Sequence, residues 1–139
     1  MDISNIASIK KVEDISKEKN KNIINVIKGS IISIIITVIA LTIYAAILSY
    51  TSISETTMVP VVLTITGISI LIGSSISSIH IKKQGILNGG LVGLIYILLL
   101  YIVSSIFLAG FELNMNSIIM IVVSILTGMI GGVIGVNMK

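Results

Sequence analysis

The residues able to do chemistry in this chain are few and scattered. One histidine, His80, follows a serine-rich run of Ser74, Ser75, Ser77 and Ser78; two isolated carboxylates, Glu55 and Glu112, stand far from it; one amide, Asn88, lies inside an apolar segment. Serine near histidine is the beginning of a nucleophilic pair, but a triad also needs an acid to orient the imidazole and donors for the oxyanion. Neither accompanies these residues, so the serines read as helix-packing residues. A lone His80 beside Lys82 lacks the further ligands of a metal site or the charged partners of a pH sensor. Glu55 and Glu112 read as solvated loop ends rather than a cation site. The chain has no cysteine, which removes disulfides, thiolate metal sites and cysteine nucleophiles together. No catalytic residue, metal ligand or cofactor site is expected, and the chain does not read as an enzyme.

The elements that carry these residues follow from composition. The chain has 139 residues, 55% hydrophobic and 11% charged, with a mean hydropathy of +1.13. A soluble domain of this size has too much surface for its volume to hide that much apolar material. The lipid bilayer is therefore the expected solvent and first partner. Charged residues divide the sequence into four uncharged stretches, 29–54, 56–81, 84–111 and 113–138. Each exceeds the roughly 20 residues that a helix needs to cross a 30 Å hydrocarbon core. Strands with open edges cannot survive there, so the abundant isoleucines do not argue for a sheet.

The expected fold is an all-α integral membrane four-helix bundle. Its helices fall at about 29–50, 58–79, 86–110 and 116–136, after a cytoplasmic Lys-rich segment 1–28 that could form a short surface helix but reads better as a polar lead with mild attraction to anionic lipid. The membrane domain is 29–139. Thr56 or Thr57 is placed to cap the second helix, with Pro60 in its first turn, and Asn114 or Asn116 to cap the fourth. The first apolar run is too long for a cleavable leader and reads as a retained span.

All nine lysines fall before the first span (the last is Lys28), between spans two and three (Lys82, Lys83), or at Lys139. The other two loops carry only Glu55 and Glu112. The positive-inside bias then places both termini and all the lysines in the cytoplasm of a bacterial membrane. Tyr50, Tyr101, Phe107 and Phe111 gather toward the opposite ends of helices one and three, where aromatic rings suit the headgroup boundary. A basic patch on a soluble face is missing, so nucleic acid is not an expected partner.

Glycine carries the strongest pattern. Gly85, Gly89 and Gly93 are spaced by four, about 40° apart around the helix, and form a smooth stripe. Helix four offers Gly128 with Gly132 and Gly131 with Gly135. Helix two offers Gly73 with Ser77 and Ser74 with Ser78; helix one offers Gly29, Ser33 and Thr37. Such a glycine zipper lets helices approach closely where the hydrophobic effect gives them little reason to associate. These clusters lie in the lysine-bearing half, with Gly67 near mid-depth and Gly110 beyond it. Asn88 is expected to make an interhelical hydrogen bond. The two halves also look alike: TGISILIG ends helix two and TGMIGGVIG ends helix four, each after a basic start and a central glutamate. This is consistent with two tandem parallel hairpins, and equally with chance repetition in an Ile- and Gly-rich chain.

The segment GSSISSIHIKKQGILNGGLVGLIYILLLYIVSSIF, residues 73–107, resembles the central signature of a family of small, uncharacterised four-span membrane proteins of low-GC Gram-positive bacteria. A Gly/Ser-rich helix end, a basic loop and a Lys-x-Gly-x-x-x-Gly helix start recur there. The resemblance runs over about 24–139, with HIKK standing where the family pattern has an arginine. It implies a bacterial host and a four-span fold, and no activity, substrate or catalytic residue. Two functional expectations follow: a non-enzymatic helix-packing component, either homo-oligomer or accessory to a membrane-protein partner, or a small transporter or pore with a Gly/Ser-lined cytoplasmic half. No span contains an ionisable acid or base of the kind that marks transport sites, which favours the first. Reporters fused after Lys139 or into the Lys82–Lys83 loop are expected to read cytoplasm, and reporters near Glu55 or Glu112 the exterior. An exterior signal at the carboxy terminus would exclude an even number of spans with this orientation.

Overall fold

A computed structural model of the protein describes residues 2–81, 84–107 and 113–138. It contains four α-helices, α1 (Ile3–Tyr50), α2 (Met58–Ile79), α3 (Gly85–Phe107) and α4 (Met115–Asn137), and a 3-10 turn at Glu55–Thr57. No strand occurs among the described residues. All four helices are long and apolar enough to cross a membrane. The chain is a multi-pass all-α membrane protein, as its hydropathy predicts. Lys82, Lys83, Gly110, Phe111, Glu112 and Lys139 lie outside the described residues, as does the end expected for helix three near 110.

The largest departure is at the start. Helix one does not begin near residue 29 after a polar lead: α1 is one helix of 48 residues from Ile3. The reason is local. No glycine or proline occurs between residues 2 and 28, Glu13 and Lys17 pair across one turn at 3.0 Å, and a helix already formed by the apolar span propagates into this segment without a new nucleation cost.

The other helix starts lie within one residue of expectation, with different capping. Thr57 occupies the N-cap of α2 without a side-chain bond, while Ser54 caps the preceding 3-10 turn by accepting from the Thr56 N–H at 3.4 Å. Asn114, not Asn116, holds the N-cap position of α4, and its carbonyl accepts the Ser117 N–H at 2.8 Å. Before α3, Gln84 adopts φ 69°, a left-handed conformation that is uncommon outside glycine. Its carbonyl accepts the Asn88 N–H at 3.0 Å and so opens the helix.

Two hairpins, α1–α2 and α3–α4, stand side by side. Helix α2 packs on α1, α3 and α4; α3 packs on α1, α2 and α4; α1 and α4 do not meet among the described residues. The bundle is inverted relative to a soluble protein. Ile31, Ile35, Ile39, Ile43, Leu91, Leu98, Ile119 and Val123 are exposed, while Ser30, Ser33, Ser69, Ser74, Ser77 and Ser78 are buried. In water such an exterior would be untenable, but in lipid the isoleucines need no protein cover.

One large polar side chain sits at the centre. Tyr96 is fully buried in α3, with its hydroxyl 2.9 Å from Thr37 Oγ1 on α1 and close to Thr66 on α2. Thr37 commits its own proton to the Ser33 carbonyl at 2.8 Å, which leaves Tyr96 as donor to Thr37. Three helices thus meet at one phenol. Replacing Tyr96 with Phe keeps the ring and removes the bond, so unfolding in detergent should become easier by about 1 kcal/mol. Thr37→Val should cost a similar amount, and the double variant less than the sum of the two. Strict additivity in the double variant would exclude the pairing.

Candidate functional site

The helix-packing residues singled out in the sequence fall on three contact faces in the lysine-bearing half. Between α3 and α4, a β-carbon added to Gly89 would lie 2.7 Å from Gly132 Cα, one on Gly85 2.7 Å from the Gly132 carbonyl oxygen, and one on Gly93 2.8 Å from the Ser124 carbonyl carbon. The contact is reciprocal, since a β-carbon on Gly128 would lie 3.0 Å from the Gly89 carbonyl carbon. Between α1 and α2, Gly29 has room for no side chain because the Gly73 carbonyl oxygen and Ser77 Cβ would each be 2.6 Å away. Between α2 and α4, a β-carbon on Gly131 would lie 2.7 Å from the Leu71 carbonyl oxygen and one on Gly135 2.9 Å from Ser75 Cα. Helix α4 therefore uses its two glycine pairs on two neighbours: Gly128 and Gly132 against α3, Gly131 and Gly135 against α2.

Most buried hydroxyls in these faces are turned back on their own helices. Ser30 donates to the Val26 carbonyl, Ser33 to Gly29, Ser69 to Ile65, Ser74 to Ile70 and Ser124 to Met120. A serine bonded in this way acts as a small residue with a satisfied oxygen. Ser75 is different, donating across to the Gly131 carbonyl at 2.9 Å and tying α2 to α4. Asn88 departs from expectation. It is buried, but its amide nitrogen has no hydrogen-bond partner, so the interhelical bond expected of that group is not made. The side chain instead lines a groove of about 680 Å³ whose wall includes Lys19, Asn22 and Val26 of α1. Its other neighbours there are mainly aliphatic, with Gln84 the remaining polar member of the wall.

In the half remote from the lysines the helices part. A crevice of about 240 Å³ opens among α2, α3 and α4, lined by Thr66, Gly67, Ile70, Tyr101, Ser124 and Thr127 among others. Gly67 has nothing within 4 Å of where a β-carbon would stand. Tyr101 lines this crevice; Tyr50 and Phe107 are exposed. His80 is exposed, and among the described residues no three of His, Cys, Asp and Glu come together.

The four spans and the small-residue faces now frame the comparison with known families. A family described as "protein of unknown function (DUF3792)" matches residues 22–135. The chain belongs to this family. The DUF3792 match takes in all three glycine faces and leaves only the first part of α1 and the last few residues outside. No curated protein and no solved structure matches the chain significantly.

The DUF3792 packing also bears on the internal likeness of the two halves. Gly29 meets the Gly73 carbonyl and Ser77, just as Gly85 meets the Gly132 carbonyl and Val136. That register pairs Gly73 with Gly132, two positions away from the pairing that aligns the two Thr-Gly steps. Gly128 packs on Gly89, while its Thr-Gly counterpart Gly67 has open space where a β-carbon would stand. The residues that sequence reading missed are Tyr96 and Thr66; Ser75, read as a packing residue with its neighbouring serines, ties α2 to α4. Tyr96 carried a signal: a phenol midway along an apolar span, far from either headgroup boundary, requires a partner inside the bundle.

Gly89 and Gly67 make a matched test. Intrinsic helix propensity favours Gly→Ile at both. Packing opposes it only at Gly89, where a branched side chain enters backbone and should cost about 1 to 3 kcal/mol or more. Thermal stability in detergent should fall for Gly89→Ile and hold or rise for Gly67→Ile. Equal behaviour of the two variants would mean that the α3–α4 face is not closed.

Proposed function

We propose that this protein is a non-enzymatic accessory or oligomeric component of a bacterial cytoplasmic membrane, with both termini in the cytoplasm, acting through helix contacts rather than chemistry. The observation that carries this reading is the use of the buried polar groups. Five buried serines are spent on carbonyls of their own helices, and the charged residues all fall outside the four apolar stretches. A nucleophile or a proton relay needs groups held free and paired with an acid or base. Here the hydroxyls complete a packed glycine zipper instead. The lysine distribution supports the orientation.

The zipper residues contact other helices of the same chain, so a partner or a second copy has to be met elsewhere. The exposed first part of α1 offers that surface, with Ile6, Ile9, Val12 and Ile15 uncovered among charges of both signs. A rival reading, a small transporter or pore with a Gly/Ser-lined cytoplasmic half, draws support from Ser78 Oγ and Asn88 Nδ2, two buried atoms without hydrogen-bond partners in that half. A polar solute would satisfy them. The glycine contacts oppose it, since α3 and α4 would have to separate at Gly89 to admit one.

Purification in mild detergent, with unbiased identification of whatever accompanies the chain, tests the proposal. A stoichiometric protein partner or a defined homo-oligomer is the expected outcome, and removal of residues 2–19 should release a partner bound through α1. Solute flux in liposomes from the isolated monomer would overturn it in favour of the pore.

A further inference from the structure

We propose that the groove between α1 and α2 at the lysine-bearing end is a binding site for a phosphate-type anion, the headgroup of an acidic phospholipid. The groove, about 240 Å³, is lined by Lys21, Asn25 and Lys28 from α1 and Ser77 and His80 from α2. Every polar side chain in that set carries a hydrogen-bond donor, and no carboxylate lines the groove. Two of the donors are held without a partner. Asn25 Nδ2 and Ser77 Oγ are buried atoms that make no hydrogen bond, and Ser77 is only 3% exposed. Five other buried serines of the bundle bond the carbonyl four residues earlier, so Ser77 has the same option at Gly73 and leaves it unused. Gly29 forms part of the lining and keeps the groove open beside that hydroxyl, since a β-carbon there would stand 3.3 Å from Ser77 Oγ.

Electrostatics favour an anion despite one opposing effect. Ser77 and His80 lie at the C-terminal end of α2, where the helix dipole places about half a negative charge. Lys21 and Lys28 supply two full positive charges against it. An ammonium also contacts phosphate as a point charge and needs no fixed fork geometry.

Position decides between a lipid and a free ion. Lys28 is the last charged residue before the first apolar stretch, so the groove straddles the boundary between headgroups and hydrocarbon. Its deeper wall is Ile32 and Ile76, which suit an acyl chain below a phosphate and give nothing to inorganic phosphate. The site does not depend on the accessory role proposed above, because a pore or a partner-bound subunit would present the same groove.

Lipid retention by the full chain tests the inference. The protein is reconstituted in vesicles of phosphatidylglycerol and phosphatidylcholine in equal amounts, re-extracted in neutral detergent, and its bound lipid read by native mass spectrometry with and without millimolar inorganic phosphate. Phosphatidylglycerol should be retained in preference to phosphatidylcholine. Lys21→Gln with Lys28→Gln should lower that retention roughly tenfold or more. Ser77→Ala, which removes a hydroxyl and adds no bulk, should lower it several-fold. Lys10→Gln with Lys11→Gln, an equal charge loss on the exposed part of α1, should leave it unchanged. Thermal midpoints of the variants establish that each is folded. Persistence of the lipid against phosphate identifies the lipid as ligand, whereas displacement by phosphate at these concentrations assigns the site to the free anion and overturns the lipid assignment. Equal retention of the two lipids without any phosphate binding, or equal loss from the two lysine pairs, overturns the site altogether.

Discussion

Helices in hydrocarbon gain nothing by covering their isoleucines, because lipid tails serve as well as protein. Attraction between them has to come from dispersion at very short range and from polar contacts that lipid cannot supply. That constraint sets the arrangement of this molecule. At the α1–α2, α2–α4 and α3–α4 faces of the lysine-bearing half glycine brings the helices together, and backbone is among the atoms that meet: Gly89 against Gly132, Gly29 against the Gly73 carbonyl, Gly131 against the Leu71 carbonyl. Large apolar residues are left outside as a direct result.

A bundle closed by backbone contact has a second requirement, which is that polar side chains near the seam be both small and satisfied. Serine meets both by bonding a carbonyl one turn back, at a modest cost to helix geometry. Such bonds hold nothing together between helices. That work falls to Ser75, which reaches the Gly131 carbonyl, and to Tyr96 of α3, which bonds Thr37 of α1 and lies close to Thr66 of α2. Beyond Tyr96 no glycine contact closes a seam among the described residues, and a crevice opens around Gly67. The bundle is thus closed at one end by the absence of side chains, pinned at mid-depth by one large side chain, and looser beyond.

How much of this was legible in the sequence depended on whether a feature is written in one helix or shared between several. Span number and approximate ends were legible, because the lengths of the uncharged stretches leave few alternatives. The stripe of Gly85, Gly89 and Gly93 was legible too, since spacing by four places residues on one face whatever surrounds them. Which partner each stripe meets was not. Gly128 and Gly131 belong to pairs of the same type, and only the packed bundle sends one to α3 and the other to α2. The same holds for Asn88, whose burial followed from its span but whose missing partner depends on residues of α1 and α3 together. The Thr-Gly steps of helices two and four misled for a related reason: identical letters at Gly67 and Gly128 occupy different depths relative to their neighbours, and depth is what packing reads. The union of residues 3–28 with the first span in one helix is not legible, because their polar composition points to a polar lead or at most a separate short surface helix. Continuity with a preformed helix matters more there than composition.

That continuity gives α1 a mechanical character the other helices lack. At 1.5 Å per residue it is about 72 Å long, of which roughly 39 Å precedes the first apolar stretch. Sharp bends in helices arise at proline, at glycine and serine pairs, or where a group inserts into the backbone ladder. The extension before Lys28 has no proline or glycine. The first site of that kind is Gly29 with Ser30, and there the helix is clamped, with Gly29 against Gly73 and Ser77, and Ser33 against Gly73. The direction in which the extension leaves the bundle is therefore set by the α1–α2 seam and by the Thr37–Tyr96 bond two turns further in. A load applied to the exposed part of α1 is passed to those contacts and to buried Val26 one turn earlier, so the glycine that lets α1 and α2 touch also helps fix where their longest lever points.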